Sequence, residues 1–384
     1  MRIAYVWPSG EIESNRYASA YWAVNPSITL QKNSNNGDLF VTEASLRLTT
    51  PSHVECFDPA RLTEKMLQRL NSDFDFVFVR GANTLSDEVY AGILADFLEK
   101  VRLPLVVMGI GIQAPSKSKM PQKKDVHRLI QLLGERSKMV GVRGAITAEF
   151  VRENGVDHVQ IVGCPSILRH NRPDLRLERP DWSELRSFGF SLTRYYSGWY
   201  QRDRRTFLSA QARLIKELHA AGRVGLITQG EREEKAFAFR DPETMELATQ
   251  ELRKSGWFDP QMEEIYRSRS VFFGTTATSY DMHVRNFDVV FGTRLHANAM
   301  AVACGVPAIT LTFDLRAQEI YEFWRLPAMT VEDADKLPAR EIYERADFEP
   351  FNRHIGFVYH NFRQYLDANG VPHVMQAEKT AEGR

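Results

Sequence analysis

The sequence is poor in cysteine, in charge of one sign and in long apolar runs. Its three cysteines, Cys56, Cys164 and Cys304, lie far apart and share no metal spacing. So sparse and odd a set excludes a disulfide scaffold and suits a reducing compartment, with the thiols acting as small buried apolar groups. Lys+Arg and Asp+Glu are equal at 49 each. A global electrostatic reason to bind nucleic acid or a strongly anionic membrane is therefore missing, and no nucleic-acid partner is expected. No apolar run approaches the ~20 residues of a membrane span. The opening MRIAYVWPSG is too short for a signal-peptide core and reads as a first strand, so a cytoplasmic location is expected.

Several familiar signatures are also absent. Gly109-Ile110-Gly111 lacks the third glycine of a dinucleotide fingerprint. There is no P-loop and no Gly-x-Ser-x-Gly. The scattered His, Asp and Glu residues show no zinc spacing. Neither a redox cofactor nor a structural metal is expected.

What is present is an ordinary globular composition, 43% apolar and 26% charged, in a chain of 384 residues. That length is ample for two hydrophobic cores. Short apolar runs alternate with amphipathic stretches, the pattern of an α/β protein with parallel sheets. In the first half, strands are expected at 2–7, 53–57, 75–80, 104–109, 139–142 and 158–162. Helices are expected between them at 41–49, 60–71, 86–101, 125–136 and 144–153. A polar, proline-containing stretch at 169–186 reads as a linker. Alternation then restarts, with strands at 187–192, 223–228, 270–273, 288–291 and 307–312 and helices at 205–221, 241–255, 279–286 and 296–304. The expected organisation is a domain at 1–170, a second at 187–335, a helical segment at 336–372 packing back on the first, and a polar tail at 373–384.

The segment most suggestive of chemistry is 288–316, DVVFGTRLHANAMAVACGVPAITLTFDLR. A strand ends at Phe291, Gly292 and Thr293 turn the chain, and Thr293 is placed to cap the helix that follows. Arg294 and His296 stand at that helix's start. Free N–H groups and the positive helix end make such a turn an anion site, and Arg294 adds a fixed fork of donors for a carboxylate or phosphate. His296 is the side-chain type whose ordinary pKa permits proton transfer near neutrality. The plain alternative is Arg294 in a structural salt bridge and His296 as a satisfied core histidine.

This block resembles that of the polysaccharide pyruvyl transferase family: a strand, an Arg-Leu-His helix start, a small-residue helix, Gly-Val-Pro, a strand and an acidic-x-basic element. Other matches follow in the family's order: Asn36-Gly37-Asp38; Asp75–Asn83 with VMGIGIQAP at 107–115; GVRGAITAEFV at 141–151; GVDHVQIVGCPS at 155–166; and FSLTR at 190–194. The resemblance covers about residues 1–325. It departs at Arg80-Gly81-Ala82-Asn83, which lacks the usual run of glycines, and at Arg316, where the family has a lysine.

The resemblance implies two tandem Rossmann-like domains facing each other across a cleft, in a GT-B-like arrangement. It also implies phosphoenolpyruvate as donor and co-substrate and a sugar diol as acceptor, with a pyruvate ketal formed and phosphate released. The acceptor would belong to an exopolysaccharide, capsule or cell-wall intermediate, free or lipid-linked. In that chemistry His296 is the expected general acid or base, Arg294 the holder of the donor's anionic groups, and Arg143 the facing cation. Asp38 is a candidate base toward the acceptor, or a helix cap. Asn83 is a candidate orienting group or a turn residue. Asp314 and Arg316 follow a strand end, where site residues collect, or form a mutual ion pair.

Arg194–Arg205 interleaves aromatics with arginines, so Tyr195, Tyr196 and Trp199 are candidates for a sugar-stacking wall, or for packing between domains. Lys117, Lys119, Lys123 and Lys124 suit a solvated loop, or one drawn to an anionic lipid-linked acceptor, which leaves a peripheral membrane contact open. A homo-oligomer is equally open. Two rival readings keep the architecture and change the function: a glycosyltransferase using a nucleotide sugar, and a non-catalytic module that binds sugars or anions.

Overall fold

The computed structural model describes residues 1–6, 36–81, 83–87, 90–114, 116–194 and 203–377; the side chains of Asp38, Tyr90 and Ser118 also fall outside the description. Strands β1 (Arg2–Val6), β2 (His53–Phe57), β3 (Phe76–Val79) and β4 (Leu105–Val107) form a sheet in the order β2-β1-β3-β4. Strands β5 (Val140–Val142) and β6 (Val159–Ile161) pair beside it, joined to the β4 side by a bridge from Ile110 to Val142. A second sheet runs β12-β11-β10-β7-β8-β9, with β7 (Ser187–Ser191), β8 (Arg223–Ile227), β9 (Val271–Phe272), β10 (Val289–Gly292), β11 (Ala308–Thr312) and β12 (Ala328–Thr330). Every recorded strand pair is parallel.

The cause is visible in the sequence. AITLT in β11 and SFGFS in β7 are buried along their whole length, as strands covered by helices on both faces must be. The fold is α/β, two Rossmann-like units in tandem. Chain order reverses between β1 and β3 in the first sheet and between β7 and β10 in the second. In open parallel sheets such switch points open a crevice at the carboxyl ends of the strands.

The expected strands are all found within a residue or two. Helices Arg232–Phe239, Pro260–Ile265 and Leu315–Trp324 and strand β12 were not expected. The helix expected at 41–49 begins at Gly37, and the one expected at 86–101 begins at Tyr90. Asn36 explains the early start. Its side chain does not cap the helix; it donates to the Gly274 carbonyl at 2.6 Å, and its backbone N–H donates to Gln229 at 2.9 Å. Contacts with the second unit fix where this helix begins, a tertiary cause invisible to local pattern.

The C-terminal helix Glu349–Ala368 reaches the first sheet. The Tyr365 hydroxyl donates to the Val107 carbonyl at 2.7 Å and accepts the Val107 N–H at 2.9 Å, so one buried side chain completes both backbone groups of a strand-end residue. Among the described residues, no helix is long and apolar enough to cross a membrane.

Candidate active site at the facing strand ends

Arg143 follows directly on β5 and is 1% exposed. Its Nε donates to the Gly109 carbonyl at 3.0 Å and its Nη2 to the Gly81 carbonyl at 3.1 Å. Glycines at the ends of β3 and β4 permit this. A Cβ on Gly81 would stand 1.6 Å from the Met108 carbonyl oxygen. Gly109 has φ +79, and a Cβ there would stand 2.2 Å from the Gly163 oxygen. The strand ends are pressed together, and their carbonyls are gathered onto one guanidinium. Arg143 is thus a buried cation, not a surface arginine. The loop Arg80–Asn83 keeps, with Gly81, the one glycine that this contact requires.

The second unit supplies the other side. Arg294 precedes the helix Leu295–Ala303 and is its N-cap residue, and its side chain makes no cap hydrogen bond. The expectation that Thr293 caps it is therefore corrected. The Thr293 hydroxyl donates instead to Gln211 Oε1 at 2.9 Å, which ties the turn to the helix Arg204–Ala221. Arg294 Nε donates to the Leu192 carbonyl just past β7 at 3.1 Å, and its Nη2 pairs with Glu231. Burial pushes the Glu231 carboxyl up, but Arg294 and Arg194 together hold it below the usual carboxylate range. Arg294 therefore sits at the switch point between β7 and β10, aimed by a buried carboxylate.

His296 stands in the first turn of the same helix and is 8% exposed. Among the described residues its Nε2 has no hydrogen-bond partner. Burial first, and then the fields of Arg143, Arg316, Arg80 and Arg294, hold its imidazole well below the ordinary 6.5. Two of these arginines come from the first unit and two from the second. The carboxyl ends of the two sheets therefore face each other around one neutral histidine, the facing GT-B-like arrangement expected.

Arg316 lies in the first turn of the helix Leu315–Trp324 and pairs with Asp314 at 3.1 Å. Asp314 also caps that helix, accepting the Ala317 N–H at 2.8 Å. The ion-pair reading of Asp314 and Arg316 is what the structure shows, and the pair stands at the site. Asn83 donates to Gln113, whose side-chain nitrogen lies 3.5 Å from Asp314 Oδ2. This polar row crosses between the units. Tyr195 and Trp199 lie outside the described residues, as does the Asp38 side chain; the backbone of Asp38 is in the helix Gly37–Thr49.

Sequence reasoning missed Arg80, Gln113, Glu231 and Glu319. Arg80 carried a signal, since it directly follows β3 and stands next to Gly81, whereas Gln113 lies six residues past β4 between Ile112 and Ala114. Glu231 and Glu319 carried none, because Arg294 and Thr147, which they bind, lie sixty-three and one hundred and seventy-two positions away.

The polysaccharide pyruvyl transferase family model matches residues 29–249, more than half of the chain. The chain belongs to the polysaccharide pyruvyl transferase family. The match includes Asn83 and Arg143 and stops short of the Arg294–His296 segment, so it is narrower than the resemblance read from the motifs. None of the curated proteins matches the chain. In overall shape it is similar to Anabaena Alr3699/HepE in complex with UDP and glucose, at 12% identity and TM-score 0.48 over 96% of this chain and 95% of that one. It is also similar to Methanocaldococcus jannaschii UDP-GlcNAc 2-epimerase in complex with UDP-GlcNAc and UDP, at 11% and 0.47 over 95% and 98%. For Neisseria meningitidis UDP-GlcNAc 2-epimerase bound to UDP-GlcNAc the values are 8% and 0.41 over 96% and 100%.

Proposed function

We propose that the chain transfers the enolpyruvyl group of phosphoenolpyruvate to two hydroxyls of a sugar in a glycan intermediate, forming a ketal and releasing phosphate. The observation that carries this reading is the neutral His296, whose Nε2 has no partner among the described residues, among four arginines contributed by both units. Phosphoenolpyruvate brings a phosphate and a carboxylate on one carbon. A cluster of guanidiniums on opposite walls suits both at once, since each can grip an oxygen pair.

The same charges set the timing of proton transfer. Without donor, burial and then the arginines keep His296 neutral. Donor anions among the arginines offset their field, and the imidazole recovers the part of its basicity that the field had removed. Neutral Nε2 then takes the proton of one acceptor hydroxyl as its oxygen attacks the carbon bearing the phosphate. The methylene carbon needs one proton to become a methyl group, and the imidazolium holds one. Attack by the second hydroxyl expels phosphate, which leaves with the second proton. The atoms balance without a cofactor or redox step. The arginines stabilise the charge on the departing phosphate.

The deciding experiment is calorimetric titration of the protein with phosphoenolpyruvate beside UDP, GDP and inorganic phosphate. Binding of phosphoenolpyruvate that vanishes in Arg294→Ala supports the reading. Binding of UDP or GDP with none of phosphoenolpyruvate would replace it with nucleotide-sugar glycosyl transfer.

A further inference from the structure

Three residues with no part in the chemistry above meet at the far end of the helix that carries His296. Cys304 caps the C-terminus of Leu295–Ala303, Asp281 lies on the helix Ala277–Val284, and His170 follows the short helix Pro165–Leu168 that ends the first unit. Their ligand atoms all lie within 4.8 Å of one another. His170 Nε2 is 3.2 Å from Asp281 Oδ2, Cys304 Sγ is 3.1 Å from Asp281 Oδ1, and Sγ is 3.6 Å from Nε2. A tetrahedron around zinc with ordinary ligand bonds has edges of about 3.3–3.8 Å. The sulfur–nitrogen separation matches such an edge, and the two short separations to Asp281 are made to different oxygens of its carboxylate, so a modest turn of that side chain sets one oxygen toward both partners.

We propose that His170, Asp281 and Cys304 form a zinc site that pins the end of the first unit to the helix bearing His296. A nitrogen, a sulfur and an oxygen ligand suit zinc better than magnesium or calcium, which take oxygen. Cys304 and Asp281 are buried, and His170 is 21% exposed, which leaves an approach from solvent on its side. The metal replaces the Cys304 thiol proton, now directed at Asp281, and that proton goes to solvent. Arg169 Nη2 stands 2.9 Å from Asp281 Oδ2 and 3.2 Å from Glu43 Oε2. It therefore shares its charge with a second carboxylate and leaves Oδ1 to the metal. Arg285 Nη1 donates to the Cys304 carbonyl oxygen at 3.4 Å, on the backbone side. The fourth position is left to water. The site lies about 15 Å along the helix from Arg294, so its role is to fix that helix, not to touch substrate.

The sequence offered no sign of this. The three residues are separated by more than a hundred positions between His170 and Asp281, and no spacing rule reaches that far.

The test is titration of the chelator-treated, full-length protein with Zn²⁺ and, as a spectroscopic probe, Co²⁺. The expected result is one metal per chain and a near-ultraviolet thiolate-to-cobalt band that disappears in Cys304→Ser. His170→Ala, at a partly exposed position that the fold tolerates, should weaken Zn²⁺ at least about tenfold. A missing thiolate band, or Zn²⁺ affinity unchanged in both variants, overturns the proposal.

Discussion

Glu319 in the second unit accepts the Thr147 backbone N–H at 2.9 Å and the Thr147 hydroxyl at 2.6 Å. Thr147 lies in the first turn of the helix Ala145–Glu153, three residues past the Arg143-Gly144 step that leads into it. The Thr147 oxygen also accepts the Ile112 N–H at 3.2 Å, so its hydroxyl proton must point to Glu319. One carboxylate thus satisfies a helix N-terminus, favourable for an anion there, and joins the two units directly behind the arginines. Gly144 makes the approach possible, since a Cβ would stand 2.6 Å from that of Glu319.

Replacing Glu319 with alanine leaves two buried donors of Thr147 without their acceptor. The expected loss is about 3 kcal/mol, at the upper end for unsatisfied buried polar groups. Urea unfolding of the variant measures it. A loss below about 0.5 kcal/mol would show that water or a neighbour replaces the carboxylate at no cost.

His296→Gln should keep phosphoenolpyruvate binding within a few-fold and reduce turnover by roughly a hundredfold or more, the range expected for a lost acid–base group. Arg294→Ala should lose both. Donor binding by the wild type should also take up protons near pH 6.5, because the anions relieve the arginine field that adds to burial in keeping His296 neutral. Titration in two buffers of different ionisation enthalpy reads that uptake. It should be smaller in His296→Gln by the share the imidazole contributes. Equal uptake in both proteins would assign the proton to the donor's own phosphate and leave His296 without its role.

The same depressed pKa shapes acid stability. Above pH 6.5 the imidazole is neutral in both folded and unfolded chains and adds no pH dependence. Below it, the unfolded chain binds a proton that the fold refuses, so stability falls as pH falls. The fall continues down to the lowered folded value, at up to about 1.4 kcal/mol per pH unit. His283, held at about 4 chiefly by burial, contributes in the same direction. Between pH 6 and pH 5 the wild type should therefore lose about 1 kcal/mol more than His296→Gln. Parallel acid limbs for the two proteins would place His296 in a more solvated setting.

The parallel strands were legible because they are short, β-branched and bounded by glycine or polar turns. FDFVFV at 74–79 and VPAITLT at 306–312 could hardly be read otherwise. The Arg294–His296 turn was legible for a related reason: a strand, a turn and a helix start are local in sequence. What surrounds that turn was not. Glu231 reaches Arg294 across sixty-three positions, Gln113 reaches Asp314 across two hundred and one, and His170 reaches Cys304 across one hundred and thirty-four. These contacts are made by the way two sheets face each other, and only the fold brings them together. The helix Arg232–Phe239 was missed for the same reason. Glu234 and Lys235 are buried in it, and their burial depends on partners that the periodicity of the segment does not show.

Two glycines near Arg143 separate fold from function. A Cβ at Gly81 would lie 1.6 Å from a backbone oxygen of Met108, and neither strand end can yield without breaking the contact that closes the sheet. Gly81→Ala should therefore cost several kcal/mol and accumulate as misfolded protein. A Cβ at Gly111 meets a different obstacle, the Arg143 side chain, at 2.7 Å from its Cδ. That side chain can swing away where a backbone cannot. Gly111→Ala should fold, with a melting temperature lowered by a few degrees for the displaced bonds to Gly81 and Gly109. Its affinity for phosphoenolpyruvate should fall at least about tenfold, because the guanidinium has left the cage. Thermal melting and donor titration of this one variant are the check. A Gly111→Ala protein that melts like the wild type and binds donor equally well would mean that Arg143 serves the packing of the strand ends and not the donor.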